Sequence, residues 1–161
     1  MSTNDSRDPQ GSDASHAGRR VAFPLTRDAE GYPPADWEHL WAEPVGEMLF
    51  TLDSIPFFVR GVSVGDTVRA EWRDGMLVFR DVVDFAGHST LRVVLFDMAL
   101  RDALRHDLSG MGCETELSHS PALIAVDVPP SASLAALREF LASGEAAGSW
   151  EYEEGAVAQG R

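Results

Sequence analysis

Apolar positions along this chain fall into two rhythms, an alternating one in the first half and a mixture of alternating and helical spacing in the second. Arg20 to Leu25 predicts a short strand, and Asp28 to Pro34 predicts a turn, because neither Pro33 nor Pro34 can donate to a sheet ladder. Trp37, Leu40 and Trp41 stand three and four apart. That spacing fits one helical or 3₁₀ turn, or the lead into a strand, and leaves both open. Between Glu47 and Arg60, Met48, Phe50 and Leu52 alternate with Leu49, Thr51 and Asp53, which predicts a strand interrupted at Pro56. Thr67 to Arg73 and Met76 to Val83 flank Asp74-Gly75, the strongest short-range signal for a β-hairpin.

After Gly87 the rhythm changes. Ser89 to Phe96 predicts a strand, and Asp97 then stands as a cap before Leu100, Ala103, Leu104, Leu108 and Met111, an apolar stripe at helical spacing that Gly110 and Gly112 close. Cys113 to Ser118 and Ala122 to Val128 predict a strand pair around Pro121. Ser131 or Ser133 caps a second helix through Leu134, Leu137 and Leu141, expected to stop near Gly144, and Trp150 to Glu153 supplies a last strand. The expected fold is therefore α+β, a small β-barrel-like half followed by a ferredoxin-like βαββαβ plait. The expected organisation is a disordered tail over 1–18, a β-rich subdomain over 19–86, the α+β subdomain over 87–154 and a flexible C-terminus over 155–161.

Charge and composition narrow the function classes. The 161 residues carry a formal charge of −13, spread over both halves rather than gathered in a tail. Such a field repels nucleic-acid phosphate and anionic lipid, so neither nucleic acid nor membrane is an expected partner, and a basic protein is. All 13 basic residues are arginine, which removes Schiff-base chemistry and a P-loop lysine. The single cysteine, Cys113, forbids an internal disulfide and points to a reducing, cytoplasmic setting, and neither an apolar leader nor a membrane-length apolar run is visible.

Several short blocks occur in a characteristic order: Gly31-Tyr32-Pro33-Pro34, Glu38-His39-Leu40-Trp41-Ala42, Ile55-Pro56-Phe57-Phe58, Gly65-Asp66-Thr67-Val68, and Gly87-His88-Ser89-Thr90 with Arg92. On these blocks the stretch from Val21 to Val94 resembles the bacterial family catalogued as domain of unknown function DUF4265, with a looser likeness through the second half. The resemblance implies a compact, non-secreted bacterial protein and carries over no activity, substrate or catalytic residue.

Two groups of residues are candidates for function. At the junction of the halves, His88, Ser89, Thr90 and Arg92 follow Gly87; hydroxyls, free N–H groups and a guanidinium fork suit a carboxylate or phosphate, and His88 is the one candidate acid or base. The competing reading is a turn whose hydroxyls bond back to the main chain while Arg92 pairs with an acid. Trp37, Trp41, Phe57 and Phe58, with Trp72, form an aromatic set suited to a binding surface, against which stands ordinary core packing. His16, His39, His88, His106 and His119 are scattered singly, so no metal site is expected, and no cofactor. Cys113, beside Glu114 and Glu116, has an acidic setting that raises a thiol pKa. The leading expectation is a protein-binding module of immunity or regulatory type rather than an enzyme; the alternative is an anion-binding protein or enzyme with its site at Gly87 to Arg92.

Overall fold

The computed structural model describes residues 18–158. The expected tail over 1–18 therefore lies outside the described residues, apart from Gly18. Among the described residues the architecture is α+β, as the patterning predicts: nine strands in two sheets and two helices.

Strands β1 (Arg19–Pro24), β2 (Trp37–Gly46), β3 (Leu49–Leu52), β4 (Thr67–Arg73) and β5 (Met76–Asp84) form an antiparallel meander. A parallel pairing of β1 with β5, Val21 opposite Leu77 and Ala22 opposite Val78, closes it into a barrel. Register shifts that leave an extra residue on β2 (Val45) and on β5 (Arg80 and Val83) supply the local bends that closure needs. Alternation places Val21, Phe23, Leu40, Ala42, Phe50, Leu52, Val68, Ala70 and Leu77 inside, and Val62, from the long connection 53–66, joins them. Asp74 and Gly75 both have positive φ, 51° and 81°, the conformation a tight β4–β5 hairpin requires.

Strands β6 (Ser89–Leu95), β7 (Glu114–Leu117), β8 (Leu123–Val128) and β9 (Trp150–Ala156) form a second sheet in the order β7-β8-β6-β9. A 3₁₀ turn capped by the Asp97 carboxylate leads into α1 (Arg101–Gly110), and Ser133 Oγ caps α2 (Leu134–Ala146). Leu91, Val93, Leu95, Ile124, Val126 and Val128 on one face of this sheet meet Leu104, Leu108, Leu137 and Leu141 of the helices in a second core.

One open choice is decided and three local expectations are corrected. Trp37 to Trp41, whose spacing leaves a helical turn and a strand both open, is strand throughout, since β1 supplies a paired neighbour along its whole length. β3 ends at Leu52, before Pro56, because its partner β4 begins only at Thr67, opposite Thr51. Helix α2 passes through Gly144 and stops at Ala147-Gly148; glycine is needed at 144 because a Cβ would fall 2.0 Å from the Trp150 ring. β9 also runs through Gly155 to Ala156, three residues beyond Glu153, the expected end of the last strand.

Candidate functional site

The face of the second sheet that the helices leave bare is turned toward the barrel. Register places Thr90, Arg92, Ala125, Asp127, Glu116 and Glu153 on it. Across this seam runs the connection 53–66, and two oppositely charged side chains hold it. Glu38, buried on β2, accepts hydrogen bonds from the main-chain N–H groups of Phe57 (2.6 Å), Phe58 (2.9 Å) and Val59 (2.8 Å). Arg92, 2% exposed on β6, donates from Nε to Phe57 O and from Nη2 to Val59 O, each at 2.6 Å. Its nearest carboxylate, on Glu153, is 3.8 Å away, so the carbonyls are the stronger partners. Burial lowers the Arg92 pKa from its ordinary value, opposed by Glu153 and Glu38.

The remaining junction residues are engaged in the same way. Ser89 and Thr90 are fully buried in β6. Ser89 Oγ accepts from Ala158 N–H at 3.0 Å, and Thr90 Oγ1 lies 2.7 Å from Ser63 Oγ. His88 Nδ1 sits 2.8 Å from the buried Asp127 carboxylate. Asp127 is raised above the usual carboxylate range by burial, which the His88 hydrogen bond opposes. Asp66 is raised for the same first reason while accepting from Ser63 N–H and Ala86 N–H, each at 2.9 Å. The hydroxyls of the candidate anion site and two of the three guanidinium nitrogens thus bond within the fold and are withdrawn from solvent, while Arg92 Nη1 is buried without a hydrogen-bond partner.

The aromatic candidates behave differently. Alternation along β2 puts Trp37, His39 and Trp41 on the outer face of the barrel, and the clamped connection brings Phe57 and Phe58 beside them. Together they line one wall of a groove of about 820 Å³ whose other wall is Glu116 to Ser120, at the end of β7. Trp37 is 38% exposed, and Arg20 stacks its guanidinium 5.7 Å from the centre of the Trp41 ring. Partial burial, then Arg20, lowers the His39 pKa and favours the neutral imidazole. Trp72 does not join the group; it is 58% exposed on β4 and absent from the groove lining.

Sequence reasoning missed His39, Arg20 and the whole 116–120 wall. The period-two spacing Trp37, His39, Trp41 was the available signal for the first, and nothing local signals the last. Among the described residues no three His, Cys, Asp or Glu side chains converge as metal ligands. His106 is exposed on α1. Cys113 is buried and its pKa is pushed up to about 11, first by burial and then by Asp127 rather than by Glu114 or Glu116. No helix is long and apolar enough to cross a membrane among the described residues.

The fold is similar to that of a solved structure described as a "Novel crystal structure of a hypothetical protein from Neisseria gonorrhoeae", with a TM-score of 0.76, 22% identity, and coverage of 89% of this chain and 97% of that one. At that identity the likeness concerns the fold alone. No curated protein matches the sequence. The model of the family described as "Domain of unknown function (DUF4265)" matches residues 38–152, which spans most of the barrel and nearly all of the second sheet. With most of both halves of the fold inside that match, the chain belongs to the DUF4265 family.

Proposed function

We propose that this chain is a protein-binding module, of immunity or regulatory type, that receives a basic protein partner in the groove between the barrel and the second sheet. The observation that carries the reading is the convergence of Trp37, Trp41, Phe57 and Phe58 from two separate segments in one open groove. Tryptophan and other large aromatic side chains contribute disproportionately to binding energy when a partner removes them from water. The formal charge of −13 favours a basic partner, whose approach it accelerates, and disfavours nucleic acid and anionic membrane. The engagement of Ser89, Thr90 and Arg92 with the protein's own atoms weighs against the anion-site alternative.

The closed meander and the strand order β7-β8-β6-β9, with a helix after β6 and another after β8, support naming the two halves a small β-barrel and a ferredoxin-like plait. That fold hosts many activities, so the reading rests on the groove. A free, buried Cys113 agrees with a cytoplasmic setting, and the Neisseria source of the similar structure agrees with a bacterial one.

The test is to capture partners from the native host with the wild-type chain and with Trp37→Ala/Trp41→Ala, at low and high salt, after circular dichroism shows the variant folded. One basic protein held stoichiometrically by the wild type, lost with the variant and weakened by salt, is the expected result. A partner held equally by both chains would remove the groove from the function.

A further inference from the structure

The second sheet has two edges, β7 and β9. An edge strand offers unpaired N–H and C=O groups to any passing strand, and proteins usually block such edges. β9 is blocked. Its Tyr152 N–H donates to the Glu145 carboxylate at 2.9 Å, its Glu154 carbonyl accepts from Arg60 Nη1 at 3.2 Å, and its Gly155 carbonyl accepts from Gly61 N–H at 3.0 Å.

β7 carries no such cover. Ser118 N–H donates to Leu123 O, so in the antiparallel register Glu116 and Glu114 turn their main-chain groups toward β8. The N–H and C=O groups of Thr115 and Leu117 therefore point out of the sheet, and among the described residues no hydrogen bond reaches them. Leu117 is 39% exposed.

Hollows flank this edge on both faces of the sheet. On the barrel side lies the aromatic groove, which includes Glu116 and Leu117 in its wall. On the helix side lies a hollow of about 340 Å³ lined by Arg105, His106 and Ser109 of α1 together with Cys113 to Thr115. Side chains of a strand alternate between faces, so a strand added to β7 sends successive residues into an apolar hollow and a polar one.

We propose that β7 is a docking edge, at which an extended segment of a basic protein partner adds as a further strand and places an apolar side chain, aromatic or branched, in the groove. This rests on the protein-binding reading above and names how the partner is held. The net charge of −13 and the exposed Glu114 at the start of the edge select lysine or arginine in the flanking positions of the segment. The residues facing α1 are polar, able to accept from Arg105, His106 or Ser109.

The test pans a phage-displayed random-peptide library on the immobilised full chain and resynthesises the enriched sequence with N-methyl groups on every second amide, in each of the two registers. Strand addition predicts a loss of about tenfold or more in affinity for the register whose amides face β7 and a change within about twofold for the other, as expected when main-chain hydrogen bonds are removed from one side only. Thr115 and Leu117 amides gain protection from hydrogen exchange in the complex. If both registers bind equally and those amides stay unprotected, strand addition is wrong. In that event loss of binding on Trp41→Ala leaves the groove reading standing, whereas an unaffected Trp41→Ala variant removes that reading as well. A library that enriches nothing overturns the proposal, as does a free chain that is dimeric with Thr115 and Leu117 already protected, since a second copy then occupies the edge.

Discussion

Replacing Glu38 with glutamine tests whether one buried carboxylate holds the seam. The carboxylate accepts three main-chain N–H bonds, one on Oε2 from Phe57 and two on Oε1 from Phe58 and Val59. Glutamine keeps one acceptor oxygen, which can retain the Oε1 pair, and sets its NH₂ against Phe57 N–H, where two donors then meet. Losing one hydrogen bond to a charged group costs about 1.5–3 kcal/mol. The surviving two fall to neutral strength, roughly half of the charge-assisted value. The lower end of that sum, about 3 kcal/mol, is already a large share of the roughly 5–15 kcal/mol that stabilises a typical domain. With a urea dependence of about 2 kcal/mol per molar, the unfolding midpoint should drop by about 1.5 M. Equilibrium urea unfolding followed by tryptophan fluorescence measures it, and Phe57 amide exchange should accelerate in the same variant. A midpoint lowered by less than about 0.5 M would refute the assignment, because it would mean that the hydrogen bonds on that connection are exchanged for water at little cost.

Three further outcomes are expected. Gly144→Ala should destabilise by about 1–3 kcal/mol because the new methyl meets the Trp150 ring, whereas Gly110→Ala, with open space around its Cβ in α1, should stabilise by about 0.5–1 kcal/mol; thermal unfolding of both variants checks the opposite signs. Asp127 titrates higher in the folded chain than the ordinary 3.8, so the folded state binds the extra proton and the stability this group contributes, present below 3.8, is lost as pH rises through the native value. The stability of Asp127→Asn minus that of wild type should therefore grow across that window, and a pH series of urea midpoints with a flat difference would contradict it. Cys113, with its pKa at about 11 against an ordinary 9.0, should react with iodoacetamide at about pH 8 at least a hundredfold more slowly folded than in urea, and equal rates would refute its burial.

Much of the fold is legible because local chemistry and tertiary structure agree. Asp74-Gly75 can hardly be anything but the hairpin it forms, and Ser133 and Asp97 cap the turns they precede. Where the reading stayed open or failed, a distant partner decided. The three-and-four spacing of Trp37, Leu40 and Trp41 mimics a helix, yet it arises from two faces of one strand, with Leu40 inside and both tryptophans outside. Gly144 looks like a helix stop until Trp150, on the following strand, takes the space a side chain would need. The aromatic candidates were identifiable from residue type, but their shared groove depends on the far wall at 116–120, which no periodicity links to β2.

The junction segment shows the same limit in its chemistry. Serine, threonine, arginine and histidine after a glycine suit an anion, and here the same groups serve the protein's own atoms: Ser89 and Arg92 the main chain, Thr90 and His88 the side chains of Ser63 and Asp127. The sequence carried one sign of this: Thr90 and Arg92 interrupt an otherwise apolar β6 on the face away from the helices, which is expected when polar main chain from elsewhere lies across that face. Arginine suits the position better than lysine would, since its planar fork reaches two carbonyls at once. Glu38 grips the N–H side of the same residues from the barrel, so the peptide dipoles of Phe57 to Val59 lie between opposite charges from the two halves. The Glu38 carboxylate, and Arg92 through Nε and Nη2, are then compensated by oriented main chain rather than by direct contact with each other. The consequence reaches the surface: Phe57 and Phe58 are fixed before any partner arrives, and a groove ordered in advance loses less conformational entropy on binding. Loosening the clamp should thus weaken partner binding even though neither Glu38 nor Arg92 contributes an exposed contact to it.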